Sequence, residues 1–98
     1  MGDDLSATIH ALIAAELRDP ADPVAAEELR AALVEPEEVE VQFAGGIMMT
    51  CWTVTARKGP YRVIYLPSAG YFSLCVEGPF GPLDIGVHGN AIGCFDSV

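Results

Sequence analysis

The spacing of apolar residues along the chain first follows the period of an α-helix. In residues 3–18 apolar side chains recur every three or four positions, at Leu5, Ile9, Leu12, Ile13 and Leu17. Such spacing places them on one face of a helix. Asp3 or Asp4 is available as the N-cap, and Asp19 followed by Pro20 ends the pattern. We therefore predict a first helix over these residues.

A second, shorter helix is indicated by its start signal. Asp22 precedes Pro23, which puts a capping carboxylate before a proline at the first helical position. A narrow apolar stripe follows and ends before Pro36, at Ala25, Leu29, Ala32 and Leu33. The two predicted helices make residues 1–36 the helical part of the chain.

After Pro36 the apolar period changes to two, which is typical of half-buried strands. Val39, Val41 and Phe43 alternate with Glu38, Glu40 and Gln42 in the first predicted strand. Further strands are predicted at 47–56, 61–66, 71–77, 83–88 and 91–95, separated by short turn clusters. Short connectors join antiparallel neighbours. We predict an α+β fold, with two N-terminal helices packed on a five- to six-stranded antiparallel meander sheet (residues 37–98), all in a single domain, 1–98.

Several predicted strands are apolar on both faces. Met48, Trp52 and Val54 point away from Met49 and Cys51 on the same strand. Two short helices cover only one face of a sheet. Either the sheet curls on itself, or its second face meets a homodimer partner or another protein. The candidate contacts are its Met and aromatic side chains, Met48, Trp52, Tyr61, Tyr65 and Tyr71.

Composition favours a small soluble protein with one core. The chain has 98 residues, 51% of them hydrophobic, and its longest apolar stretch is too short to cross a bilayer. The N-terminus lacks the basic and apolar segments of a secretory signal, so we expect a cytoplasmic protein with no membrane partner. Cys51, Cys75 and Cys94 are an odd number without close pairing, which favours reduced thiols.

The charge is distributed unevenly. Residues 1–40 hold eleven of the fourteen acidic residues and two of the five basic ones, so the whole net charge of −9 lies there. Helix caps and the Glu27–Arg30 spacing explain part of it. They do not explain four carboxylates within six residues, at Glu35, Glu37, Glu38 and Glu40.

These four glutamates allow two interpretations. Alternate residues on a strand stand about 6.6 Å apart, close to twice the ~3.4 Å rise between charges along one DNA strand. A row of this kind, with Glu27 and Glu28 of the second helix beside it, would bind a basic protein or nucleoprotein surface. The other interpretation is an acidic face that only keeps the protein soluble. No calcium-loop motif accompanies these acids, so a metal site is not predicted.

No catalytic constellation is predicted. Asp84 and His88 share a strand face but would lie about 13 Å apart, too far for a hydrogen bond, so a site with Cys94 is weak. The sequence has no zinc spacing, phosphate loop or dinucleotide fingerprint, and hence no predicted metal or cofactor. Five basic residues make no footprint for direct nucleic-acid binding.

In length, charge and lack of enzyme motifs the chain resembles small anti-CRISPR proteins of phages and mobile elements. Several acidic members of that heterogeneous group occupy the nucleic-acid site of a CRISPR effector complex. The resemblance implies a stoichiometric, non-enzymatic inhibitor. Two other functions stay open: a toxin-immunity or chaperone-like protein that masks a basic partner, and a small cysteine-dependent enzyme.

Overall fold

The structure is a computed structural model and describes residues 5–98. Two helices come first, then five strands with a 3₁₀ turn after the first of them, then a short third helix. The elements are α1 (Leu5–Arg18), α2 (Pro23–Ala32), β1 (Leu33–Phe43), the turn Ala44–Gly46, β2 (Ile47–Thr55), β3 (Tyr61–Leu66), β4 (Tyr71–Gly78), β5 (Gly81–Gly89) and α3 (Ala91–Asp96).

The five strands form a closed barrel in the order β1-β2-β3-β4-β5. Consecutive strands are antiparallel, and a short parallel contact between β1 and β5, at Gln42 and Leu83, closes the ring. The prediction of an open meander sheet is therefore wrong. A register shift between Leu74 and Cys75 and the positive φ of Gly86 (83°) lie where β5 runs alongside β4. Bulges of this kind bend a strand, which brings β5 round to β1.

Closure gives the molecule two apolar clusters, one on each side of the sheet. The interior of the barrel is filled by Val41, Cys51, Ile64, Leu66 and Cys75. The outer face of β2, β3 and β4 packs under the helices through a larger cluster that includes Ile9, Ile13, Leu29, Val54, Val63, Phe72, Leu74 and Phe95. The middle strands are apolar on both faces because the barrel interior buries one face and the helices bury the other. The curling of the sheet, one of our two alternatives, is what the structure shows.

The second helix begins as predicted and ends earlier. The Asp22 carboxylate accepts hydrogen bonds from the backbone N–H of Val24 and Ala25, and Pro23 is the first helical residue. The helix ends at Ala32, so the predicted boundary at residue 36 lies inside β1. The strand tolerates Pro36 because the β1–β2 register is irregular between residues 33 and 37. The predicted N-cap of α1, Asp3 or Asp4, lies outside the described residues.

The predicted last strand, 91–95, is wrong, because this segment is α3. The Asn90 side chain caps the helix by accepting from the N–H of Gly93 at 2.7 Å. The carboxylate of Glu16 in α1 accepts from the N–H of Ala91 and of Ile92, each at 2.9 Å. Three of the first helical N–H groups, which have no partner within a helix, are thus satisfied from outside it.

Over residues 5–98, none of the helices has the length and apolar character needed to cross a membrane.

Candidate functional site

Two of the predicted glutamates stand side by side on the outer face of the barrel. Glu38 lies opposite Trp52 and Glu40 opposite Thr50 in the β1–β2 ladder, and both glutamates are exposed. Alternation along a strand puts their side chains on one face, about 6.6 Å apart. We call Glu38 and Glu40 the acidic row. The ladder fixes its spacing, because every residue of β1 from 37 to 43 has a partner in β2.

The carboxylates of the acidic row are not neutralised by a neighbouring cation of the described chain. Glu40 accepts a hydrogen bond from the Thr50 hydroxyl at 2.5 Å, which orients its carboxylate without neutralising it. In the part of the chain that the structure describes, no Lys, Arg or His nitrogen lies within ion-pair distance of either glutamate. Two adjacent, uncompensated carboxylates attract cationic groups.

Glu35 and Glu37 lie elsewhere, so the four glutamates of β1 do not form one strip. Both line a cavity of about 470 Å³, and Arg57 and Arg62 are also part of its lining. Glu35 accepts a hydrogen bond from the Ser6 hydroxyl at 2.9 Å and lies 3.2 Å from His10 Nε2. Both hydrogen bonds lower the pKa of Glu35, and the one with His10 has the larger effect. Glu35 therefore joins β1 to α1.

The two glutamates predicted on the second helix are exposed on α2. Glu27 forms an ion pair with Arg30 one turn later, which confirms the predicted pairing. Glu28 has no ion-pair partner among residues 5–98. Glu27 is therefore neutralised locally, and exposed pairs of this kind contribute little to stability.

Three of the predicted aromatic contacts differ in exposure. Tyr65 is 6% exposed and packs against Phe72, with ring centroids 5.1 Å apart, so a partner cannot reach it. Trp52 and Tyr61 are half-buried and pack against the cluster beneath the helices. These side chains mainly serve the core, because the helices cover the sheet face that carries them.

Exposed apolar side chains lie instead at the tip of the β1–β2 hairpin, beside the acidic row. Ile47 is 60% exposed and Met48 is 48% exposed. Met48 of β2 and Leu83 of β5 flank Gln42 of β1, so the three lie in line across the outer face. Sequence reasoning treated Met48 as a candidate but missed Ile47; Leu83 lies on β5, beyond β1, and is not part of the hairpin tip. The Gly45–Gly46 turn marks the hairpin tip, where the helices do not reach, and was the available signal.

The prediction that Asp84 and His88 lie too far apart to interact is wrong, because His88 Nε2 is 3.3 Å from Asp84 Oδ2. The bulge at Gly86 shortens the path between them, and the Gly86 N–H donates to the same carboxylate at 3.2 Å. The buried Ser73 hydroxyl donates to Asp84, and the Tyr71 ring stacks on His88 with centroids 4.5 Å apart. Ser73 thus donates its hydrogen bond to the carboxylate and not to the imidazole, whereas a catalytic serine donates to the imidazole as its base.

All three cysteines are free and buried. Burial, with nearby carboxylates as a lesser cause, raises the pKa of Cys51 and of Cys94 to about 11 and that of Cys75 to about 12. A nucleophilic cysteine needs a lowered pKa and access to solvent. Within the described chain, no group of three or more His, Cys, Asp or Glu residues is arranged to hold a metal ion.

The hairpin β1–β2 therefore carries an exposed acidic row and, next to it, exposed apolar side chains at its tip. Charged and apolar groups adjoining in this way are typical of protein-binding surfaces. No protein-family model, no curated protein and no solved structure matches this chain.

Proposed function

We propose that this protein is a non-enzymatic inhibitor that binds a basic surface of a partner protein or nucleoprotein complex and blocks it. The observation that carries the proposal is the acidic row of Glu38 and Glu40, exposed and unneutralised among the described residues, next to the exposed tip of the hairpin. The proposed location is the cytoplasm, because a nucleoprotein partner would be encountered there.

The spacing of the acidic row favours a partner that normally holds nucleic acid. The two carboxylates repeat at about 6.6 Å, close to two steps of a phosphate backbone. Lys and Arg side chains placed to contact phosphates would find similar charges here. With a net charge of −9, the chain would also be steered toward a basic groove over a distance that salt shortens.

The apolar tip would supply the part of the interface that excludes water. Ile47 and Met48 are exposed on the strand that pairs with the acidic row, and Met is enriched at interface centres. Charges set orientation and the rate of association, while desolvated apolar anchors contribute most of the affinity. The resemblance to anti-CRISPR proteins makes a CRISPR effector complex the first partner to test. A basic toxin would be bound by the same chemistry.

The chemistry of the buried groups supports a binding function over a cysteine-dependent enzyme. Each thiol is buried with a raised pKa, and Cys94 donates to the backbone oxygen of Val87 at 3.5 Å. Among the described residues, no hydroxyl or thiol hydrogen-bonds to the His88 imidazole, whose partner is the Asp84 carboxylate. The Asp84 carboxylate accepts hydrogen bonds from Ser73 and from the Gly86 N–H, and these bonds stabilise the bulge of β5.

The test compares two double variants with equal charge change. Glu38→Gln with Glu40→Gln removes the acidic row, whereas Asp19→Asn with Asp96→Asn removes two exposed carboxylates that lie outside the β1–β2 hairpin. All three proteins, immobilised at equal density, are exposed to a bacterial lysate that contains a CRISPR effector complex, and bound complexes are eluted with rising salt. The affinity of each purified partner, and its nucleic-acid binding in the presence of each protein, are then measured.

We expect the wild type and the Asp19/Asp96 variant to displace nucleic acid from the partner and to bind more weakly as salt rises. The Glu38/Glu40 variant should bind about tenfold more weakly for each glutamate that pairs with a cation of the partner, since a hydrogen bond to a charged group contributes roughly 1.5 kcal/mol or more. Equal weakening of both variants would mean that only net charge matters. Binding that ignores both changes and salt would contradict the proposal.

A further inference from the structure

The first four residues of β2, 47–50, have a neighbouring strand on one side only within residues 5–98. β2 pairs with β1 along most of its length but is in register with β3 only at Trp52 and Thr53. Continuing that register places Leu66 opposite Cys51 and Pro67 opposite Thr50. Pro67 has no N–H to donate, and the chain turns there, with Gly70 N–H donating to Leu66 C=O at 2.8 Å. Residues 47–50, the β2 edge, are therefore paired on one side only.

The β2 edge lacks the features by which proteins prevent unwanted pairing. Natural edge strands carry charges, prolines or bulges that block the approach of another strand. The start of β1 has all three, in Glu35, Pro36, Glu37 and the register irregularity between residues 33 and 37. The β2 edge, by contrast, has the sequence Ile-Met-Met-Thr, with no charge and no proline, and its register with β1 is regular from Phe43–Ile47 to Glu40–Thr50.

We propose that the β2 edge binds an extended segment of the basic partner, which adds to the barrel as a further strand beside β2. This inference rests on the proposed function and specifies how the partner is held. Backbone hydrogen bonds to residues 47–50 would provide affinity, as in other complexes formed by strand addition. Side chains of the added strand would provide specificity.

The charges around the β2 edge define the sequence of that segment. Side chains on the outer face of an added strand would lie beside Met48 and Thr50, one strand away from Glu40. Neighbouring strands are about 4.8 Å apart, so a Lys or Arg there reaches across Thr50 to the acidic row. On the opposite face the added strand would meet Ile47 and Met49, which favours apolar side chains. The occupant is thus a strand that alternates basic and apolar residues.

A second copy of the chain fits the β2 edge less well. Pairing two such edges would bring together two molecules with a net charge of −9 each, which repel one another. A basic strand instead neutralises Glu38 and Glu40. Charge complementarity therefore selects a basic partner over self-association.

The experiment uses two synthetic peptides of equal length and charge. One alternates Lys and Val and can form a strand; the other alternates Lys and Pro and cannot, because every second residue lacks an N–H. Each is titrated into isotope-labelled protein, and chemical shifts and hydrogen exchange are followed amide by amide. We expect the Lys-Val peptide to bind at least tenfold more tightly and to slow exchange at residues 47–50 by tenfold or more.

Two variants with the same charge change localise the binding. Met48→Lys places a cation beside the added strand, whereas Leu83→Lys places it on the same outer face, beyond β1 and away from the β2 edge. We expect Met48→Lys to weaken the Lys-Val peptide at least tenfold and Leu83→Lys to weaken it less than threefold.

Three results would overturn the inference. Equal binding of both peptides at Glu38 and Glu40, without protection of residues 47–50, would leave the acidic row as a binding surface and eliminate strand addition. Protection of those amides in the free protein that grows with protein concentration would show that a second copy occupies the edge. No binding of either peptide at low salt would count against both the inference and the proposed function.

Discussion

The two halves of the β1–β2 hairpin share one ladder but differ in what surrounds them. In the closed half, residues 33–39 and 51–55, Val54 and Thr55 are buried and β3 lies alongside. In the distal half, residues 40–50, Val41 is buried in the barrel interior, but Ile47 and Met48 are exposed and residues 47–50 are paired on one side only within the described chain. One continuous hairpin thus supports the core at its base and presents binding groups at its tip. Changes at the tip are expected to leave the fold intact.

Thiol reactivity gives the largest expected difference between the folded and unfolded hairpin. Cys51 lies where the closed half begins, and burial raises its pKa from 9.0 to about 11. Two pH units correspond to about a hundredfold less thiolate, which is the reactive form. Because the buried thiol is also shielded from the reagent, we expect alkylation of Cys51 at mildly alkaline pH to be slower by about a hundredfold or more in the folded protein than in urea, measured by mass spectrometry. Rapid alkylation of the folded protein would mean that the closed half opens readily.

The next largest expected difference between the two halves is the loss of stability when an apolar side chain is shortened. Val54→Ala removes two buried methyl groups beneath the helices and should lower the free energy of unfolding by about 2 kcal/mol. Met48→Ala, on the same strand and face, should lower it by less than about 0.5 kcal/mol because the side chain is exposed. Urea titrations of both variants check this. Equal decreases would show that the tip also supports the fold.

The smallest effect concerns the contact between Glu35 and α1. Hydrogen bonds from His10 and Ser6 lower the pKa of Glu35 below 4.5, so its contribution to stability is present above that pH and disappears as the pH falls through the lowered value. Glu35→Gln should therefore decrease the urea midpoint slightly at neutral pH and not at the acid end. Glu28→Gln, on exposed α2, is the matched control and should leave the midpoint unchanged at both. A difference in urea midpoint between Glu35→Gln and the wild type that persists in acid would show that the ionised Glu35 carboxylate is not its cause.

Local signals in the sequence predicted the local features of the fold. The apolar period and the Asp22–Pro23 pair identified the first two helices, and β3 has the predicted bounds, 61–66. Alternation also placed Glu38 and Glu40 on one face, as their partners Trp52 and Thr50 show. Each of these features depends on residues close together in the chain.

Features that depend on distant residues could not be predicted in the same way. Barrel closure rests on the contact between Gln42 and Leu83, and the Asp84–His88 pair on a bulge opposite β4. The division of the glutamates, with Glu35 drawn to α1, follows from the position of a helix earlier in the chain. Apolar alternation is the same for an open sheet and for a closed one, so the pattern alone does not distinguish them.

The contact between Glu16 and α3 has a consequence for how the protein is made. Its carboxylate in α1 holds the N–H groups of Ala91 and Ile92, which follow it by 75 and 76 residues. During synthesis α1 leaves the ribosome first, yet this contact cannot form until those later residues have also emerged. Docking of α1 is therefore incomplete until the whole barrel and the start of α3 have been translated. Final assembly of the two ends is a late event, in which the arrival of α3 locks the earlier segment in place.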